Sequence, residues 1–89
     1  MYLAKVRGTV VSTQKDHNLV GFKLLITQRI DNQGGYIGKP DVSVDTVGAG
    51  TGETVIVTAG SSARFAAGRP DSPIDSTIVG IVDYTEVED

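Results

Sequence analysis

Two neighbouring segments hold the residues whose types and spacing could do chemistry, the glycine-rich Val47 to Glu53 and the serine-led Gly60 to Arg64. In the first, Gly48, Gly50 and Gly52 alternate with Ala49 and Thr51 and run into Glu53. Glycines spaced like this let backbone N–H groups come close to a phosphate, so the chemistry to weigh is anion binding. The details oppose it. Glu53 stands where a dinucleotide fingerprint wants a third glycine, no helix follows directly, and no Gly-Lys-Ser/Thr occurs. The Glu53 carboxylate would also repel phosphate. Backbone that can take positive φ, or lie against another backbone, reads instead as a tight turn in a packed interface.

In the second segment, Ser61-Ser62-Ala63-Arg64 could present a nucleophile at a helix start, near oriented N–H groups. A serine needs a base, and the single histidine, His17, lies in a polar loop that nothing in the sequence brings to Ser61 or Ser62. Ser61 is expected instead to cap the first turn of a short helix. Arg64 falls early in that helix, where the macrodipole gives a cation no help, so Asp75 or Glu53 is expected to hold it. Asp41, Asp45, Asp71 and Asp75 match no calcium-loop spacing and read as turn and surface residues, and a lone histidine argues against a zinc site. No catalytic, cofactor or metal constellation rises above background.

The elements that must position these segments are short strands. From Leu3 to Val11, Ala4, Val6, Gly8 and Val10 share one face and Lys5, Arg7 and Thr9 the other, the pattern of a half-buried strand. Ser12 to Gly21 is polar and ends in glycine, a loop rather than a helix. Lys23 to Ile30 forms the second strand, with Leu24, Ile26 and Ile30 on a face where Gln28 wants a partner. Asp31 to Gly35 turns the chain. Tyr36 and Ile37 begin a third strand that Pro40 interrupts and Val42 to Asp45 resumes, which argues for an edge or a bulge. Thr54 to Thr58 is the fourth strand, followed by the helix from about Ser61 to Ala67, which Gly68 can end in a left-handed conformation. After the proline-punctuated loop Arg69 to Asp75, Thr77 to Asp83 is apolar on both faces, so both are expected to be covered, one of them by core and the other by core or a neighbouring subunit. The acidic tail Tyr84 to Asp89 is expected to fray. Five strands, one helix and a turn signal about every ten residues point to an all-β fold, a small closed barrel.

The whole chain, residues 1–89, makes one domain, and at this size it buries only about 60–65% of the surface that it exposes when unfolded. Such a thin core favours stability gained by association. Cysteine is absent, no apolar run approaches a membrane span, and the N-terminus lacks the apolar core of a secretion signal, so the chain reads as soluble and cytoplasmic. The net charge is −3, the eight Lys and Arg are scattered, and there are five aromatic residues, which together weigh against nucleic acid as a partner.

Five segments resemble the pentameric vertex proteins of bacterial microcompartment shells, the group of the carboxysome vertex protein and its ethanolamine- and propanediol-utilisation counterparts. They are Val6 to Thr13, Leu19 to Leu25, Asp45 to Glu53 with its Gly-Ala-Gly-Thr-Gly-Glu turn, Gly60 to Arg64 with its Gly-Ser-Ser-Ala-Arg, and Pro73 to Asp83. They run from end to end of the chain. Ile26-Thr27-Gln28 departs slightly from the common Val-x-Gln, and Asn32 to Pro40 looks individual. The resemblance implies a five-stranded barrel of oligonucleotide/oligosaccharide-binding (OB) type, with its helix between the fourth and fifth strands, that assembles into a homopentamer. It further implies hexameric shell proteins as neighbours, no cofactor, and no enzymatic role. Gly48, Ala49, Gly50, Thr51, Gly52 and Glu53, with Gly60, Ser61, Ser62, Ala63 and Arg64, are then expected in or near the contacts between subunits. The competing reading is an OB-like module for single-stranded nucleic acid or an oligosaccharide, which would need aromatic platforms and a basic groove; Tyr2, Phe22, Tyr36, Phe65 and Tyr84 are dispersed along the chain. A small serine hydrolase is the third.

Overall fold

The computed structural model of the chain describes residues 1–13 and 15–88, so the expectations for Gln14 in the first loop and for Asp89 at the end of the acidic tail lie outside the described residues. Among the described residues five strands form: β1 (Tyr2–Val10), β2 (Lys23–Arg29), β3 (Asp41–Asp45), β4 (Thr54–Ala59) and β5 (Ser76–Val82). A helix, α1 (Ser61–Ala66), lies between β4 and β5, and a 3-10 turn (His17–Leu19) sits in the loop after β1. The sheet closes on itself in the order β1-β2-β3-β5-β4. Every neighbouring pair is antiparallel except β3 and β5, whose parallel ladder holds only Val44↔Thr77 and Asp45↔Ile78.

Alternation along the strands divides the apolar residues between two cores. Ala4, Val6, Leu25, Ala49, Val55, Val57 and Ile78 fill the barrel interior. Leu24 and Val44, one residue out of step with the interior Leu25 and Ser43, face outward and are buried with Ala63 and Ile74. The helix and the loop before β5 thus cover the outer face of β2 and β3, which explains why Leu24 and Leu25 are both buried. At the weak β3–β5 seam, hydroxyls join the strands: Thr27 Oγ1 lies 2.7 Å from Ser43 Oγ, which lies 2.6 Å from Ser76 Oγ. All three residues are buried, so this chain of hydrogen bonds satisfies groups that would otherwise be costly inside the barrel.

Bulges break the simple alternation in two places. The β1–β2 register shifts between Val6 and Gly8, and the β4–β5 register between Ile56 and Val57. Hence Val10 joins the outer cluster, not the interior that its parity with Ala4 and Val6 implied. The third strand is shorter than expected: Tyr36 makes only an isolated bridge to Ile30, and β3 begins at Asp41, after Pro40. Residues 31–40 form a looped extension instead. Gln28, 3% exposed on the outer face of β2, finds its partners there, donating from Nε2 to the carbonyls of Ile37 (2.9 Å) and Gly38 (2.8 Å). The β5 faces are covered at its start, where Ser76, Thr77 and Ile78 are buried, but Ile81 near its end is exposed in the single chain.

Candidate functional site

The glycine turn hangs from the end of β3. Asp45 pairs with Lys23 of β2 on one side and Ile78 of β5 on the other, so its backbone is fixed before the chain turns. Its Oδ1 accepts the Val47 N–H at 3.1 Å, and its Oδ2 accepts those of Gly48 and Ala49, both at 3.0 Å. Glu53 does the same at the far end: Oε1 accepts the Gly50 N–H at 2.7 Å, and the Glu53 N–H returns to the Gly50 carbonyl at 3.2 Å. Gly52 and Glu53 then join β1, with Gly52 N–H donating to Val6 O (2.8 Å) and Val6 N–H to Glu53 O (2.9 Å). Lysines engage the carbonyls. Lys23 Nζ donates to Ala49 O while lying 3.5 Å from Asp45 Oδ2, and Lys5 Nζ donates to Gly52 O at 3.3 Å.

Gly48 (φ 82°) and Gly52 (φ 92°) adopt the left-handed backbone that the turn requires, and Ala49 between them inserts its methyl fully into the barrel interior. Val47, Gly48, Thr51 and Gly52 remain on the surface. Chemically, the turn is occupied by its own chain. The N–H groups of Gly48, Ala49, Gly50 and Gly52, which a phosphate cradle would need, already donate to Asp45, Glu53 and Val6. What it offers outward is a shaped, exposed backbone.

At the helix start, the structure corrects two expectations. The N-cap is Gly60, with φ 68° and ψ −146° and no side-chain cap, and Ser61 is the first helical residue. A serine cannot hold that backbone without strain, so the glycine takes the position before the helix and anchors it by donating its N–H to Asp75 O at 2.9 Å. Arg64 is held by a carbonyl, not a carboxylate: Nη1 donates to Ile74 O at 3.3 Å, while Glu53 is turned to Gly50. Ala63 packs fully buried beneath, its carbonyl accepting the Thr77 hydroxyl at 2.8 Å. Gly68 (φ 71°) ends the helix as expected, its N–H reaching Phe65 O.

The two segments lie at opposite ends of β4, roughly 20 Å apart at the rise of an extended strand. They form two patches rather than one pocket. Neither of two surface grooves, about 300 Å³ beside residues 31–34 and 82–85 and about 190 Å³ beside Val42, Val44 and Ile74, is lined by either segment. Ala49 and Ala63 keep their side chains inside the chain's own cores, whereas Ser61 and Ser62 are exposed. His17 stands in the 3-10 turn with its side chain 89% exposed, 3.8 Å from Asp16. Among the described residues no three His, Asp or Glu side chains gather where a metal ion could be held. No helix among them is long and apolar enough to cross a membrane.

Sequence reasoning missed Lys23 and Lys5 as residues that hold the turn, and it read Asp45 as a turn or surface residue, whereas the Asp45 side chain is 3% exposed and gathers the turn's amides. For Asp45 a signal existed, since an aspartate three residues before a glycine in a turn commonly accepts from the backbone ahead of it; for the lysines there was none, because their partners lie 26 and 47 residues away. The folded chain brings three arginines onto aromatic rings: Arg7 on Tyr36 at 4.6 Å, Arg29 on Tyr2 at 5.0 Å and Arg69 on Phe22 at 5.2 Å. Each stack takes one ring face that a nucleic-acid base would need, which counts against the nucleic-acid reading for these three rings; Phe65 and Tyr84 remain exposed.

Comparison with known proteins agrees along the whole chain. Residues 1–83 match the model of the family described as "Ethanolamine utilisation protein EutN/carboxysome". The chain is 55% identical over 86 residues to the bacterial microcompartment shell vertex protein GrpN of Rhodospirillum rubrum, covering 97% of each. It is 49% identical over 90 residues to the carboxysome shell vertex protein CcmL of Nostoc sp., covering all of this chain and 89% of that one. Among solved structures, the GrpN pentameric microcompartment shell protein from Rhodospirillum rubrum superposes with a TM-score of 0.88 at 52% identity over the full length of both chains.

Proposed function

This chain belongs to the EutN/carboxysome family of shell proteins, and from that premise we propose that it is a vertex subunit whose homopentamers cap the corners of a polyhedral bacterial microcompartment. The observation that carries the reading is the end-to-end likeness, at 52% identity, to a structure named as pentameric. Its work is geometric. A flat layer of hexagonal tiles cannot close, and pentagons inserted at the corners supply the curvature. The role is structural, in the cytoplasm, with hexameric shell proteins bordering the pentamer's rim.

A five-membered ring needs a head-to-tail contact, in which two different patches of the subunit meet and the rotation closes. The exposed parts of Gly48–Glu53 and Gly60–Arg64 are separate patches at the two ends of β4, which suits such a contact, and we assign them to or near it. The conformation of the turn supports the assignment, because its small residues leave the backbone open to close approach and its amides are committed to its own chain.

Co-expression with hexameric shell proteins tests the role. Closed polyhedral shells are expected with this chain present, and open or elongated ones without it. Hexamers that close equally well in its absence would contradict the reading.

A further inference from the structure

The turn is built differently from an adaptable interface loop. Its shape is set within one subunit, by hydrogen bonds from both ends. Asp45 is the centre of that arrangement: one carboxylate takes three consecutive N–H groups, its side chain is 3% exposed, and its backbone is pinned between two strands. Lys23 completes it, joining the Asp45 carboxylate to the Ala49 carbonyl through one ammonium. Donor and acceptor ends of the same peptide segment are therefore held by a single ion pair. Within the stretch that Asp45 gathers, Gly48 takes positive φ and stays on the surface while the Ala49 methyl enters the barrel interior.

We propose that Asp45 is a positioning residue for ring assembly, ordering the Gly48–Glu53 turn in the free subunit so that subunits meet a surface already in its bound shape. The proposal rests on the vertex reading, in which this turn lies at the subunit contact. Loops that order only on association lose conformational freedom at that step and weaken it, whereas a pre-ordered loop has already lost it on folding. Asp45 touches no neighbouring subunit in this scheme; it acts through the turn. Asparagine at this position keeps the shape but sets an NH2 group against at least one of the N–H donors, and it removes the charge that holds Lys23.

The test compares the natural chain with D45N and K23M in two measurements. The first is amide hydrogen exchange of Val47, Gly48 and Ala49 against the core amides of β2 and β5; the second is the concentration at which the pentamer half-dissociates, by native mass spectrometry on dilution. In D45N the turn amides are expected to exchange at least tenfold faster with the core amides unchanged, and the half-dissociation concentration to rise at least tenfold. K23M should shift both the same way by less. A loosened turn with unchanged dissociation would overturn the proposal, as would unchanged turn exchange in D45N. If D45N does not fold, K23M decides by the same criteria, since it removes only a half-exposed side chain. A natural chain with no pentamer at any concentration would instead overturn the vertex reading, and with it the assembly role given to Asp45.

Discussion

Within one subunit, Gly60→Ala isolates backbone strain from the other effects of a mutation. A Cβ built on Gly60 meets nothing within 4 Å in the single chain, so no packing within the subunit changes. The residue caps the helix without a side chain, so no capping bond is lost. What remains is φ 68° with ψ −146°, a region close to glycine-only, where an L-residue costs about 1–3 kcal/mol. Against that, alanine reduces the freedom of the unfolded chain, which returns about 0.4–1 kcal/mol. Midrange values leave a net loss of about 1.3 kcal/mol, and at about 4–8 °C per kcal/mol for a domain of this size the midpoint should fall by roughly 5–10 °C. Thermal unfolding followed by circular dichroism reads this, at a dilution where the chain is monomeric, because Gly60 lies in a patch assigned to the subunit contact and assembly shifts the midpoint. The control is D-alanine at the same position in a semisynthetic chain, since these angles are the mirror image of an extended L-conformation. D-Ala should leave the midpoint unchanged or raise it. An unchanged midpoint for L-Ala, or an equal fall for both, would refute the reasoning.

Ser61→Ala should change stability by less than about 0.5 kcal/mol by urea denaturation, because Ser61 is not a cap; loss of a capping serine would cost about 1 kcal/mol. Gln28→Leu removes both bonds to the Ile37 and Gly38 carbonyls, and a loss of about 1–3 kcal/mol in the same assay is expected, with faster amide exchange confined to residues 31–40. Asp31 sits in the same extension, and the Gly35 N–H, followed by that of Gln33, holds its carboxyl below its ordinary value of 3.8. A depressed folded value means the stabilisation is complete above the ordinary value and is lost as pH falls through the lower, folded one. The Gly35 amide resonance should therefore titrate below pH 3.8 in the natural chain and not in Asp31→Asn.

Much of the barrel was legible because its strands alternate over short, well-punctuated runs: β2 and β4 begin where the pattern places them, and α1 falls between β4 and β5. Gln28 was legible as a polar residue on an apolar face that needed a partner, and the partner exists. The failures come from places where local pattern yields to backbone geometry or to distant residues. Parity misplaced Val10 because a bulge at Arg7 shifts the β1–β2 register. Ser61 had a cap's composition, but the conformation before the helix admits only glycine, one residue earlier. A carboxylate partner for Arg64 was a charge argument, and the fold met its donor with the Ile74 carbonyl instead. In the turn, glycine spacing announced a special backbone, yet nothing local revealed that Lys23 and Lys5, from β2 and β1, close over it. Nor could spacing show that Ala49 belongs to the subunit's own core.

The central claim, a ring of five, is tested most directly by the native mass of the purified protein in solution, measured by light scattering or native mass spectrometry. Five chains of 9.3 kDa give about 46.5 kDa, and a dominant species at that mass is the predicted result. A clean monomer near 9.3 kDa at all accessible concentrations would contradict the account.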